Sequence, residues 1–337
     1  MNPAALIDVH THFFPGQLLE ALEGRSEPPY LYREDGRTFV RFGPGRQYPL
    51  TEAMGSVDAK LAEMDRAGIH GSVLSVNMPG VDGLGDMAVS TASVVNDGLR
   101  AAASRDPARL AWMAVAPMER PEAVAEELHR CASLGASGVM IGSNVVGRPL
   151  DLDTDAGLFE AAHDLGLAIM VHPAFPLAGE AVAEYQLTSI LGFLFDTTTA
   201  TLRLVLAGMF DRYPDLKFVV SHVGGLLPFI VGRIDYLSTQ RPGGTGRLSV
   251  APSEHLRKLY VDAVCLWPPA LRLGVEFFGA DHVMFGSDHP YWPMADGVAT
   301  LAEAALPPAD QELVAHGTAS ALMNLGEPRL RTEAGLI

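Results

Sequence analysis

The sequence predicts an α/β fold closed into a (β/α)8 TIM barrel, with a small insertion after its first strand. Three observations carry this. Eight short β-branched runs recur along the 337 residues. Each run is nearly continuous in apolar character, as a parallel strand covered by helices must be. Helix-patterned stretches lie between the runs, and eight alternations favour closure over an open doubly wound sheet.

The strands are expected at 6–12, 72–76, 111–116, 138–141, 168–172, 217–222, 259–263 and 282–287. Among the helices, 57–67 places Val57, Leu61 and Met64 on one face. The stretch 122–134 starts behind Pro121, a favoured first-turn position, and 155–164 ends near Gly166, a natural stop. No internal repeat or low-complexity segment interrupts this pattern. The expectation is one domain over residues 1–337 with an insertion at about 16–52, longer than an ordinary βα loop. Inside it, Tyr30–Arg33 and Thr38–Phe42 flank Asp35-Gly36, a hairpin turn signal. Such an insertion is either surface decoration or a lid, because loops at the C-terminal mouth of a barrel surround its active site. A second long helical region at 185–210 is apolar enough for a subunit interface or for packing on the barrel.

Hydrophobic residues make up 48% and charged residues 19%, which excludes disorder. With 24 basic against 40 acidic side chains, the net charge of −16 argues against nucleic-acid and anionic-membrane partners. Two cysteines, Cys131 and Cys265, make no disulfide framework and no CxxC site. Both read as buried thiols in a reducing compartment. The start MNPAALIDVH lacks the pattern of a signal peptide. The apolar stretches 189–195 and 219–232 are bounded or broken by Asp196, Arg203, His222 and Arg233, short of the roughly 18 residues of a membrane span. A cytoplasmic protein is expected.

The chemistry collects at strand ends. His10 and His12 close the first strand as His-Thr-His, and residues i and i+2 share a side. His172 ends strand five, His222 strand six and Asp288 strand eight. A lone strand-end histidine is more often structural, and a lone Asp after Gly-Ser is usually a turn or cap. Five such residues on the one face where this fold builds active sites are not explained that way. Neutral imidazoles with a carboxylate suit zinc, and also manganese, iron or cobalt. Such an ion stays a strong Lewis acid and lowers the pKa of a bound water toward about 7, with His222 placed to hold or move protons.

At this point the chain resembles a known group. Ile7-Asp8-Val9-His10-Thr11-His12-Phe13-Phe14-Pro15, Val171-His172-Pro173, Ser221-His222-Val223-Gly224-Gly225 and Gly286-Ser287-Asp288-His289-Pro290 resemble the amidohydrolase superfamily. More narrowly, they are similar to its amidohydrolase-2 branch, which includes the aminocarboxymuconate-semialdehyde decarboxylases. The resemblance implies that His10, His12, His172 and Asp288 bind the metal, normally zinc, and that His222 is the catalytic histidine. It also implies that Arg233, eleven residues after His222, reaches the neighbouring subunit's site in a homodimer and holds a substrate carboxylate. The guanidinium fork suits that task. The other reading is a surface-helix arginine paired with Asp235 or another acid.

Departures stand beside the match. The arginine that the group's decarboxylases often carry in the first insertion has only Arg46 as a counterpart, at shifted spacing. His289 follows Asp288 where an aromatic residue is common, and reads either as a proton carrier behind the ligands or, the favoured expectation, as pointing outward. Phe175, Tyr291 and Trp292 are expected to wall the pocket or to pack in the core. No lysine ends strand four, where Met140-Ile141-Gly142-Ser143-Asn144 stands, so a mononuclear site is expected. Gly83-Leu84-Gly85 with Ala88 does not directly follow a strand and is a weak dinucleotide signal. Ser221 beside His222 is not a nucleophile pair by that fact alone, since strand neighbours face opposite sides.

The expected function is a metal-dependent decarboxylase of a small unsaturated or aromatic carboxylic acid, with catalysis by His222, Asp288 and Arg233. Substrate contacts are expected from Arg233, Arg46, Phe175 and Trp292. A hydrolase or hydratase of an amide, lactone or enol acid is the alternative, because one fold hosts many reactions. A non-catalytic ligand-binding barrel is a third class, disfavoured by the five polar strand ends.

Overall fold

Parallel strands and helices alternate through the chain. The structure is a computed structural model and describes residues 5–43, 46–240, 248–323, 325, 331–332 and 335–336. The strands are β1 (Ile7–His12), β2 (Gly71–Ser75), β3 (Leu110–Val115), β4 (Gly138–Gly142), β5 (Ala168–His172), β6 (Phe218–Val220), β7 (Tyr260–Asp262) and β8 (Val283–Met284). They follow in this order across one eight-stranded sheet, each parallel to the next. After them in turn come α1 (Val57–Ala67), α2 (Ala88–Ala103), α3 (Pro121–Ser133), α4 (Ala156–Leu165), α5 (Phe193–Leu206), α6 (Leu227–Gln240), α7 (Pro268–Phe278) and α8 (Met294–Glu303). Every expected strand is present, with β6 and β8 shorter than their apolar runs.

The sheet closes between β1 and the segment leaving β8. Val9 N donates to Phe285 O (3.0 Å), Asp288 N to His10 O (2.7 Å) and His12 N to His289 O (2.8 Å). Asp8 tightens this seam, accepting from Ser287 N (3.0 Å) and Ser287 Oγ (2.5 Å). The chain therefore forms a (β/α)8 barrel.

Two apolar clusters follow from the pleat, since alternate strand residues face opposite sides. One draws on every strand, with Ile7, Val9, Val73, Met113, Met140, Met170, Val219 and Met284 buried and Tyr260 packed against them. A cluster shared by all strands is the barrel interior. Its methionines are flexible enough to fill a tapering space. The other holds Leu74, Val139, Ile141, Ile169, Val171, Phe218, Val220, Val261, Val283 and Phe285 with helix residues such as Leu99, Leu128 and Phe159. It lies between sheet and helices.

The insertion is larger than a hairpin. Three antiparallel strands, Tyr30–Glu34, Arg37–Gly43 and Arg46–Pro49, follow a short helix, Gly16–Leu22. Asp35 (φ 49°) and Gly36 (φ 73°) make the predicted tight turn, both left-handed as such a turn requires. The third strand was not expected.

Two expectations need correction. The turn Thr188–Gly192 runs into α5, giving 19 residues, Thr188–Leu206, long and apolar enough by length and composition to cross a membrane. Here that helix packs on the barrel, and its buried Asp196 accepts from Ser143 Oγ (2.5 Å) and Asn144 Nδ2 (2.8 Å). Counting only the apolar letters before Asp196 missed this continuity. Cys131 is buried, but Cys265 is only half-buried, just past the end of β7; both are free thiols.

Gly138 opens β4, where an added Cβ would lie 2.6 Å from the Ala168 carbonyl oxygen of β5. Gly138→Ala is expected to destabilise the barrel by about 1–3 kcal/mol through overpacking. Urea unfolding should show a lower midpoint at unchanged slope.

Candidate metal centre

The ligand atoms are placed by strand ends. Between Asp8 and Thr11, β1 carries an extra residue against β2, a bulge directly at the His10–His12 pair. Bulges re-aim side chains, and they are common next to active sites. His10 and His12 are fully buried, His172 at the end of β5 nearly so, and Asp288 lies just beyond β8. One ligand atom from each of these residues lies within 4.8 Å of the others. His12 Nε2 is 2.9 Å from Asp288 Oδ1, His10 Nε2 3.3 Å and His172 Nε2 3.9 Å.

The tautomers follow from the outer contacts. His172 Nδ1 lies 3.1 Å from Pro173 O, which can only accept, so Nδ1 carries the proton there. His10 Nδ1 lies 2.7 Å from Asp262 Oδ2, with the same consequence. The Nε2 atoms of His10 and His172 are buried with no hydrogen-bond partner. Both face the Asp288 carboxylate, which His12 Nε2 also meets. Buried imidazole nitrogens gathered around one carboxylate are the donor set a divalent cation needs. The four residues therefore fit a divalent metal, and among the described residues no lysine joins them.

Electrostatics agree. Burial would raise the Asp288 carboxyl, but the His10 charge and the imidazole nitrogens of His10, His12 and His172 around it hold it well below the usual carboxylate range. Burial lowers His12 to about 4 and His172 well below its usual value. Burial also pulls His10 down, yet the Asp262 and Asp288 carboxylates outweigh it and raise His10 to about 10.

His222 sits beside this cluster, not on a strand. β6 ends at Val220, and His222 (φ 57°, ψ 55°) and Val223 (φ 54°, ψ 30°) are left-handed. Such conformations cost about 1–2 kcal/mol per residue, and they concentrate at functional sites. Asp288 (φ 56°) shares this feature. The turn leads into Gly225 (φ 62°), where a Cβ would meet Thr198 Oγ1 at 2.6 Å, which accounts for a glycine there. His222 Nε2 faces Asp288 Oδ2 at 3.5 Å, so that carboxylate shows one oxygen to the ligand cluster and the other to His222. Because alternation ends at Val220, Ser221 Oγ does reach His222 Nδ1 (3.0 Å), contrary to the strand-based expectation. Ser221 is fully buried, so it orients the ring.

A cavity of about 390 Å³ opens over His172, His222 and Asp288, walled by Tyr48, Met54, Phe193, Tyr291 and Trp292. Tyr48 comes from the third strand of the insertion and meets the Tyr291 ring edge-on at 4.6 Å. The insertion thus forms a wall of the pocket. Asn77 Nδ2 donates to the Tyr291 hydroxyl at 2.6 Å. Phe175 lies outside this pocket and lines a neighbouring cavity of about 670 Å³ with Phe42 and Asp82. Arg46 opens a strand, but its side chain lies outside the described residues. Arg233 is exposed on α6 and does not line its own chain's pocket. His289 does not point outward as expected: it is buried, with Nδ1 2.9 Å from Lys60 Nζ, and it borders a groove between α1 and the 290–295 segment.

Two buried charged residues escaped the sequence reading. One is Asp262 at the end of β7. The other is Lys60 on α1, fully buried, whose Nζ donates to Thr11 Oγ1 (2.8 Å), His12 O (3.0 Å) and His289 Nδ1 (2.9 Å). Burial lowers the Lys60 ammonium to about 7 against the pull of the Asp8 and Glu63 charges. Lysine on a helix reads as solvent-facing; only its register with Val57 and Met64 on the buried stripe marks it.

With this geometry in hand, comparison with known proteins is informative. An amidohydrolase family model matches residues 7–325. The chain belongs to this amidohydrolase family. It is 31% identical over 238 residues to the 2-amino-3-carboxymuconate-6-semialdehyde decarboxylase of Dictyostelium discoideum, 69% of this chain and 66% of that protein. Metarhizium anisopliae IDCase has the same fold, with a TM-score of 0.88 at 28% identity over 97% of this chain and 98% of that one. The 5-carboxyvanillate decarboxylase of Novosphingobium aromaticivorans, solved with manganese and 4-hydroxy-3-methoxy-5-nitrobenzoic acid, gives 0.82 at 25% identity over 96% and 97%.

Metal uptake by this amidohydrolase must displace the proton that the raised His10 holds, whereas His12 and His172 are already neutral near pH 7. About one proton should be released per ion bound, and affinity should rise with pH until about 10, the His10 value. Titration calorimetry in buffers of different ionisation enthalpy measures this; binding without proton release contradicts it.

Proposed function

We propose that this amidohydrolase is a metal-dependent decarboxylase of a small aromatic or unsaturated carboxylic acid. The observation that carries the reading is the placement of His222 and Asp288 on the floor of a small aromatic-walled pocket, directly over a divalent-metal ligand set. A cavity of about 390 Å³ is at the small end of ligand pockets and suits a single ring. The aminocarboxymuconate-semialdehyde and 5-carboxyvanillate enzymes named above are decarboxylases, which supports a carboxy-lyase over a hydrolase.

A divalent ion on His10, His12, His172 and Asp288 supplies a Lewis acid that binds and polarises the acid's oxygen atoms. Zinc fits the imidazole-rich donor set. Manganese is the ion in the 5-carboxyvanillate enzyme, and metal analysis of the purified protein decides between them. The protein's own residues do the rest. Tyr48, Tyr291 and Trp292 wall the ring. The bond from carbon to the carboxylate breaks, its electron pair stays on the carbon, and carbon dioxide leaves. His222 Nε2 moves a proton to that carbon, and the Asp288 Oδ2 beside it stabilises the protonated ring. Arg233, exposed on α6 next to Phe229 at 83% exposure, fits a role at a neighbouring subunit's pocket, where its guanidinium holds a carboxylate. Arg46 is the second candidate for such a contact. The acting form is a cytoplasmic homodimer.

The test is carbon dioxide release by metal-loaded protein on a panel of hydroxybenzoates and muconate semialdehydes, beside amides and lactones. Lactone or amide opening without carbon dioxide release makes it a hydrolase instead. His222→Ala is expected to keep stoichiometric metal while turnover falls about 10²-fold or more. Loss of the metal would make His222 a ligand.

Mixing Arg233→Ala with His222→Ala protomers is expected to restore part of the activity that each lacks alone. Activity that stays absent after hetero-oligomers are shown to form rules out the shared site.

A further inference from the structure

The strongest unassigned group near the site is the Asp262 carboxylate, fully buried at the end of β7. Its two oxygens do different things. Oδ2 lies 2.7 Å from His10 Nδ1, while Oδ1 accepts from His222 N (2.8 Å) and from Val264 N (3.0 Å). One residue therefore touches a metal ligand through its ring and His222 through its backbone.

We propose that Asp262 is the positioning residue of this centre, fixing the His10 tautomer with one oxygen and the left-handed backbone of His222 with the other. The inference rests on the reading of the cluster as a metal centre with His222 as proton donor. The physical logic has two halves. A carboxylate accepts only, so it keeps the His10 proton on Nδ1 and leaves the Nε2 lone pair for the ion. A backbone N–H held by a buried carboxylate oxygen compensates the unfavourable φ of His222. The His10 ring and the His222 backbone are thereby referred to a single strand end.

The two halves separate experimentally. Asp262→Asn keeps an acceptor for His222 N but presents an amide N–H to His10 Nδ1. His10 must then accept there and carry its proton on Nε2, where the ion binds. Manganese affinity, read by EPR titration, is expected to fall at least tenfold, with kcat at saturating metal reduced less than tenfold. Asp262→Ala removes both contacts, and kcat at saturating metal is expected to fall by a further tenfold or more with KM little changed. Wild-type manganese affinity in folded Asp262→Asn protein overturns the proposal. Should that variant not fold, nitrogen NMR of the zinc-loaded wild-type protein decides. A proton on His10 Nδ1 with zinc on Nε2 supports the assignment, and the reverse overturns it. Metal affinity and tautomer are measured without substrate, so these results stand apart from whether carbon dioxide is released.

Discussion

Everything in this molecule is arranged around a concentration of unshared electron pairs in a place without water. Four ligand atoms crowd within 4.8 Å, most of them stripped of solvent, and the Nε2 atoms of His10 and His172 have no hydrogen-bond partner. Such a group is unfavourable by itself, because desolvated acceptors need a donor or a cation. The protein supplies proton partners on the outer sides of the rings, Asp262 for His10 and the Pro173 carbonyl for His172, and leaves the inner sides open. The need for positive charge at that point explains the chemistry assigned to the site. It also reconciles the net charge of −16 with the anionic substrate proposed above, since the attraction is local.

The barrel makes this arrangement rigid. β1 and the end of β8 are neighbours across the seam, and the hydrogen bonds that close the sheet run through the residues flanking the ligands. Asp8 ties Ser287, and Lys60 ties the His12 carbonyl to the His289 ring from outside the barrel. Three buried charges, Asp8, Lys60 and Asp262, thus frame the seam end of the cluster. Breaking one such group and leaving its partner buried costs far more than the interaction gains over water, so these contacts constrain geometry strongly.

Much of this was legible in the sequence. The period of apolar runs located all the strands, because a parallel strand buried on both faces must be apolar throughout. The four ligands and His222 were legible because polar residues that end such runs stand out. What stayed hidden had no local signature. Asp262 ends β7 as Asp288 follows β8, yet without a motif partner nothing distinguished it from a turn residue. Lys60 was masked by the ordinary tendency of lysine to face water. The alternation rule failed at Ser221-His222 because the strand stops at Val220, two residues short of its expected end. Tyr48 was missed because the third strand of the insertion pairs through backbone contacts with a partner already counted as a two-stranded hairpin. Phe175 follows His172 closely in sequence, but the chain turns it toward the adjacent cavity.

The seam has a consequence for how the protein comes into being. His12 and Asp288 are separated by 276 residues of chain, and their meeting requires the final strand to dock on the first. A nascent polypeptide holding everything up to β7 owns three imidazoles but no complete chelate. Ion capture therefore waits for the last turn of assembly, and once made it locks that turn. An ion at about a hundredfold excess over its dissociation constant adds about 2.7 kcal/mol to the closed state. The cofactor acts, in effect, as a clasp between the two ends of the chain.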